Sequence, residues 1–183
     1  YLGERLLDHL TSNEPWATLF RDAYLAPEVL EPGKEIRLAN DLRATPVPVP
    51  HRAEWSETFA FRIAGPERTI LWLPDIDHLD RVSLAELLDG VDAAFIDGTF
   101  WSDGELPGRD MKEIPHPLAR DTADLLVDLK PAAAVSFVHL NHTNPLWDPE
   151  SGERLALDRR FTDEGIVAAA GGVVAEEGYA IEL

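Results

Sequence analysis

Residues 132–145, AAAVSFVHLNHTNP, decide how this chain is read. A seven-residue run, 132–138, apolar but for Ser136, stops at His139 and is followed by Asn141, His142, Thr143 and Asn144. A bounded apolar run of that length reads as a strand buried on both faces, and in such sheets the working residues sit just beyond the carboxyl ends of strands. His139 therefore falls where a ligand would bind. Three other stretches repeat the arrangement: 42–50, LRATPVPVP, ends at His51; 69–74, TILWLP, ends at Asp75; and 92–96, DAAFI, ends at Asp97. If these strands lie side by side, four His and Asp side chains converge.

Between them the pattern is α/β. Residues 83–91 predict a helix with a capping box of Ser83 and Glu86, and strand, helix, strand over this distance makes a βαβ unit. Residues 35–39 and 42–49 read as paired extended segments. The alternating Pro46, Pro48 and Pro50 demote the second to an edge or rim strand. Residues 57–63 and 69–73 form a hairpin about Gly65-Pro66. Residues 1–10 and a second helix restarting at Pro15, with Trp16, Leu19 and Phe20 apolar, read as covering helices. Pro117 opens a helix that runs to residue 129. A further helix over 154–170 stops at Gly171-Gly172, and the chain ends in a Glu177-Gly178 hairpin. Residues 1–183 form one domain, with no internal repeat and no low-complexity segment.

Composition narrows the function. With 34 acidic residues against 16 basic and a formal charge of −18, the chain repels polyphosphate, so nucleic acid is disfavoured as a partner. The same charge also serves plain solubility. There is no cysteine, which excludes disulfide scaffolds and thiolate nucleophiles and leaves nitrogen and oxygen as the only donors for a metal. No apolar run approaches the ~20 residues of a membrane span, and no signal peptide is visible, so the expected compartment is the cytoplasm.

In LPDIDHLD, residues 73–80, the candidate ligands are Asp75, Asp77, His78 and Asp80. Extended backbone puts Asp75 and Asp77 on one side, and Asp80 reads as a helix cap. Residues 98–115 have no period and are too long for a mere connection, while Phe100, Trp101 and Met111 argue that the loop is ordered. Arg109 and Lys112 within it suit an anionic substrate group, or else pair with Asp103, Glu105 or Asp110. His116, just before Pro117, reads as a helix cap or as a proton donor to a leaving group. His142 is an additional candidate beside His139.

In that order, PVPHRAEWSETFAFRI (48–63), ILWLPDIDH (70–78), FIDGTFWSDGELPGRDMKEIPHP (95–117) and FVHLNHTNP (137–145) resemble the metallo-β-lactamase superfamily, and within it the PqqB-like family of coenzyme PQQ biosynthesis. The resemblance implies the C-terminal part of an αββα sandwich. It also implies metal ligands at His51, Asp75 and His139, with Asp75 bridging. His116 matches the proton-donating histidine of the related tRNase Z branch, and Asp97 would orient a histidine ligand. The family's HxHxDH motif lies N-terminal to these segments and is absent from this sequence. The expectation is therefore a C-terminal portion that binds metal weakly without the other half.

The activity implied is that of a metallo-hydrolase, acting through metal-activated water on an ester or phosphoester of small size. One or two divalent transition metals are implied, zinc first, with iron or manganese as alternatives. Rival readings are an iron-dependent hydroxylase of PQQ biosynthesis and a non-catalytic domain that has lost its site. Expected partners are a small-molecule substrate, a second chain carrying the HxHxDH segment, or a second copy in a homodimer, with no nucleic acid and no membrane.

Overall fold

Strand direction explains why four separated segments deliver side chains to one place. The computed structural model describes residues 1–175, 178 and 180–183, and the backbone but not the side chain of residue 112. Its sheet has six strands in sequential order: β1 (Ile36–Arg37), β2 (Arg43–Val49), β3 (Thr58–Ala64), β4 (Thr69–Leu73), β5 (Ala93–Asp97) and β6 (Ala134–Val138). Strands β1 to β4 pair antiparallel, and β4, β5 and β6 pair parallel. Two reversals return β2 to the direction of β4, so the carboxyl ends of β2, β4, β5 and β6 share one edge.

The proline-rich β2 is flanked, but barely. Two-residue β1 covers only Arg43 and Ala44, and beyond them Gly33 N–H donates to the Pro46 carbonyl from the outer side at 2.9 Å. The main-chain groups of Pro46, and of Pro48 at the same parity, thus face an edge with no strand partner, where a missing N–H leaves no ladder bond unmade.

Helix α3 (Arg81–Leu88) joins β4 to β5, α4 (Ala119–Leu129) lies between β5 and β6, and α5 (Gly152–Glu164) follows β6. Period-2 alternation sends Leu71, Leu73, Ala94, Ile96, Val135 and Phe137 to one face, where they pack with Leu84, Leu126, Leu157 and Phe161 of those helices. Each fully buried large side chain of this set contributes about 1.5–3 kcal/mol. On the opposite face Phe61, Trp72 and Phe95 lie in register, with Trp72 41% exposed. Ile70, Trp72, Phe95, Val138, Ala170 and Ile181 line a groove of about 590 Å³ there. One helix layer on one sheet is half of an αββα sandwich. Among the described residues no second sheet lies on the aromatic face, the kind of surface that sheet-on-sheet packing buries.

Several boundaries differ from the sequence reading. Helix α3 starts earlier because Asp80, not Ser83, is its N-cap: Ser83 N–H donates to the Asp80 carboxylate at 2.8 Å and Ser83 Oγ accepts from Asp80 N–H at 3.0 Å. Pro117 does not open α4, since Leu118 bridges to Phe100 and Ala119 N–H donates to the Phe100 carbonyl at 2.8 Å, holding 116–118 extended. Helix α5 stops at Gly165, whose φ of 74° is the left-handed stop that glycine adopts readily, well before Gly171. The segment after it runs along β6: Val135 N–H donates to the Val167 carbonyl at 2.8 Å, Phe137 N–H to the Val173 carbonyl at 2.7 Å, and Ala175 N–H to the Phe137 carbonyl at 3.0 Å. Helices α1 (Glu4–Ser12) and α2 (Trp16–Arg21) bury no residue fully, so they pack at the margin and do not cover the sheet. The expected hairpin at Glu177-Gly178 rests on residues 176, 177 and 179, which lie outside those described.

At the exit of β5 the backbone of Gly98 runs against β6: a Cβ there would stand 2.8 Å from Phe137 Cβ. Phe137 is fully buried and has nowhere to retreat. Gly98→Ala should therefore lower stability by about 1–3 kcal/mol, read as a shift of the urea midpoint at unchanged slope.

Candidate metal centre

The shared strand edge carries three imidazoles and three carboxylates. His51 follows β2 after Pro50, and its backbone is fixed by Thr58 Oγ1–H donating to the His51 carbonyl at 2.9 Å. Asp75 and Asp77 follow β4, flanking the buried Ile76, and Asp77 N–H donates to the Pro50 carbonyl at 2.7 Å. This bond stitches the exit of β4 to the exit of β2 across β3. Asp97 is the last residue of β5. His139 follows β6 directly with φ of 61°, a left-handed conformation uncommon outside glycine that turns the chain sharply out of the sheet.

Asp97 is completely buried and completely satisfied. Its Oδ1 accepts from Thr99 N–H at 2.9 Å and Thr99 Oγ1–H at 2.7 Å, and its Oδ2 accepts from Ile76 N–H at 3.1 Å and His116 Nδ1 at 2.7 Å. With Nδ1 occupied, His116 has Nε2 left for chemistry. Burial opposes protonation of His116, but the hydrogen bond and charge of Asp97, with Asp75 and Asp77 behind, outweigh it and raise its pKa above the ordinary imidazole value.

Asp75 stands between two imidazoles. Its Oδ1 lies 3.6 Å from His51 Nε2 and 3.4 Å from His139 Nδ1. A tetrahedral ion with bonds of about 2.1 Å spaces its ligand atoms roughly 3.4 Å apart. Each of these two separations taken singly matches that spacing, and the nitrogen and oxygen donors suit such an ion. Among the described residues, the ligand atoms that all lie within 4.8 Å of one another are those of His51, Asp75 and His116, a group that His139 does not join. His139 is more open, with 48% of its side chain exposed, and its Nδ1 also meets Thr99 Oγ1 at 3.1 Å.

The other candidates divide. Asp77 lies on the far side of the His51 ring, its Oδ1 3.1 Å from Nδ1. Asp80 is a helix cap, and His142 is exposed and outside the group of ligand atoms. Two of the expected partners of Arg109 are engaged elsewhere: Asp103 binds Arg120 at 2.7 Å, and the Glu105 carboxylate accepts from Trp101 N–H and Ser102 N–H. Arg109 instead lines a cavity of about 430 Å³ with Asp103, Asp110, Met111, Leu118 and His116. The loop is ordered as expected, with Phe100 buried and Glu105 Oε2 accepting from Thr143 Oγ1–H at 3.2 Å. Thr99, which links Asp97 to His139, escaped the sequence reading; its signal was position alone, just beyond a strand end. Asn144, one of the polar residues noted after the 132–138 run, is buried and donates to the Gly98 carbonyl at 2.7 Å while its Oδ1 accepts from Leu146 N–H.

Residues 1–140 match the family model of the Beta-lactamase superfamily domain. Coenzyme PQQ synthesis protein B of Pseudomonas fluorescens (strain SBW25) is 30% identical over 122 residues, which cover 62% of this chain and 36% of that protein, so the match spans about a third of the relative. Among solved structures, Zn(2+)-bound PqqB from Methylobacterium extorquens superposes with a TM-score of 0.73 at 20% identity, covering 94% of this chain and 62% of that one. The metallo-beta-lactamase fold protein YhfI from Bacillus subtilis gives a TM-score of 0.57 at 14% identity, covering 89% and 61% respectively. At these identities the structural likeness is one of fold.

The raised His116 pKa sets a sign for stability against pH. In metal-free protein the pair with Asp97 contributes fully below about pH 6.5, the unfolded value, and its contribution is lost as pH rises through the higher folded value. The urea midpoint of chelator-treated protein should fall across that window, and fall less in Asp97→Asn once its overall loss of stability is subtracted.

Proposed function

The chain belongs to the Beta-lactamase superfamily domain family, and on that premise we propose that it is a metal-dependent hydrolase of small, anion-bearing esters or phosphoesters. The observation that supports this reading is the placement of Asp75 Oδ1 between His51 Nε2 and His139 Nδ1 at ligand spacing. His51, Asp75 and His139 would hold one or two divalent ions, with zinc the first choice, and iron or manganese compatible with the same donors. A divalent ion held there supplies Lewis acidity that lowers the pKa of water enough for attack near neutral pH.

The chain's own residues account for the rest. Asp97 fixes the His116 ring through Nδ1 and favours its protonated form, so His116 is suited to deliver a proton from Nε2 to a leaving oxygen. A ligand must be deprotonated whereas an acid must carry a proton, which favours the donor role for His116 although it lies within reach of the ligand group. Arg109, which lines the cavity beside His116, would meet the substrate's anionic group. A small substrate handled in the cytoplasm fits a chain in which no described helix is long and apolar enough to cross a membrane.

A second reading, an iron-dependent hydroxylase, takes support from relatives named for coenzyme PQQ synthesis. Oxygen uptake by iron-loaded protein with a tyrosine-containing substrate would favour it, and its absence with turnover of esters favours hydrolysis.

Asp75→Ala should lose bound metal and turnover together, measured by elemental analysis and hydrolysis of an aryl ester or phosphoester. His116→Ala should keep the metal and lose turnover by about 10²–10⁴-fold, and metal loss in that variant would make His116 a ligand. Arg109→Gln should raise KM for anionic substrates with kcat nearly unchanged.

A further inference from the structure

We propose that Asp77 is a positioning residue: its carboxylate holds the His51 imidazole with Nδ1–H turned away from the site, so that Nε2 faces Asp75 and an incoming divalent ion. This rests on the metal-site reading above and gives Asp77 a place behind a ligand, where the sequence pattern had suggested a ligand.

The two nitrogens of His51 face two different carboxylates, Nε2 toward Asp75 Oδ1 at 3.6 Å and Nδ1 toward Asp77 Oδ1 at 3.1 Å. Both His51 Nδ1 and Asp77 Oδ1 are buried, and neither has a hydrogen-bond partner. Their 3.1 Å approach lies off the ring N–H axis. Buried polar atoms find partners, and each is the partner the other has. The backbones are locked beside one another by bonds that need no ion: Asp77 N–H to the Pro50 carbonyl and Thr58 Oγ1–H to the His51 carbonyl. Ile76, 2% exposed, anchors the segment between Asp75 and Asp77 in the core. Alternation then presents both carboxylates to the same imidazole from two sides. Asp97 does the same for His116 at 2.7 Å, so both inner imidazoles are backed by a carboxylate. A carboxylate behind a ligating histidine sets which nitrogen carries the proton and fixes the ring.

Long-range 15N–1H NMR on metal-free protein at about pH 8.5, some two units above the ordinary imidazole pKa, reads which His51 nitrogen bears the proton. The His51 signal is assigned by its loss in His51→Gln. Wild type should show Nδ1–H, Asp77→Ala should shift the ring toward Nε2–H, and Asp77→Asn, which keeps an acceptor oxygen, should restore Nδ1–H. Titration of the same proteins with zinc should show a 10–100-fold weaker Kd for Asp77→Ala, with recovery in Asp77→Asn. An Nε2–H ring in wild type overturns the proposal by itself, even where Asp77→Ala fails to fold, and so does an unchanged ring in folded Asp77→Ala. Wild type that takes no zinc overturns the metal reading, while the ring state still decides the role of Asp77.

Discussion

A carboxylate with no exposed surface, Asp97, is the point on which the site depends. Burying such a charge costs several kcal/mol unless its lone pairs are met, and here all are. The donors come from three different parts of the chain: the exit of β4 through Ile76, the exit of β5 through Thr99, and the end of the long loop through His116. Satisfying one group thus sets the relative positions of the segments that carry Asp75, His116 and, by way of Thr99, His139. Asn144 repeats the device on neutral atoms, clamping the loop after β6 onto the turn after β5.

Much of this was legible in the sequence, because strand ends mark themselves. A short apolar run that stops at His or Asp carries both its burial and its direction, and four such runs required only that their directions agree. β2 agrees because two antiparallel reversals restore the direction of β4. Helix boundaries were less legible. Asp80 and Ser83 are both good caps, and the choice between them follows from where β4 releases the chain. Pro117 has the chemistry of a helix start, but a bridge between Phe100 and Leu118 holds that segment extended, a tertiary contact with no local signature. Thr99 was missed for a similar reason: it is an ordinary polar residue whose weight comes from what it joins.

The two faces of the sheet divide the work of the fold. One is closed by α3, α4 and α5 and carries the main core. The other is apolar, with Trp72 and Phe95 in contact at a ring separation of 5.8 Å above a groove that reaches His139. The candidate metal site lies where these faces meet. His139 is the most open of its imidazoles, while the Asp97 carboxylate behind His116 is fully shielded, which strengthens that pair in the low local dielectric.

Diffraction from crystals saturated with zinc, recorded at the zinc absorption edge, tests the central claim most directly. The arrangement predicts an anomalous peak about 2.0–2.2 Å from both the Asp75 carboxylate and His51 Nε2. Ordered His51 and Asp75 side chains with no peak between them would contradict it.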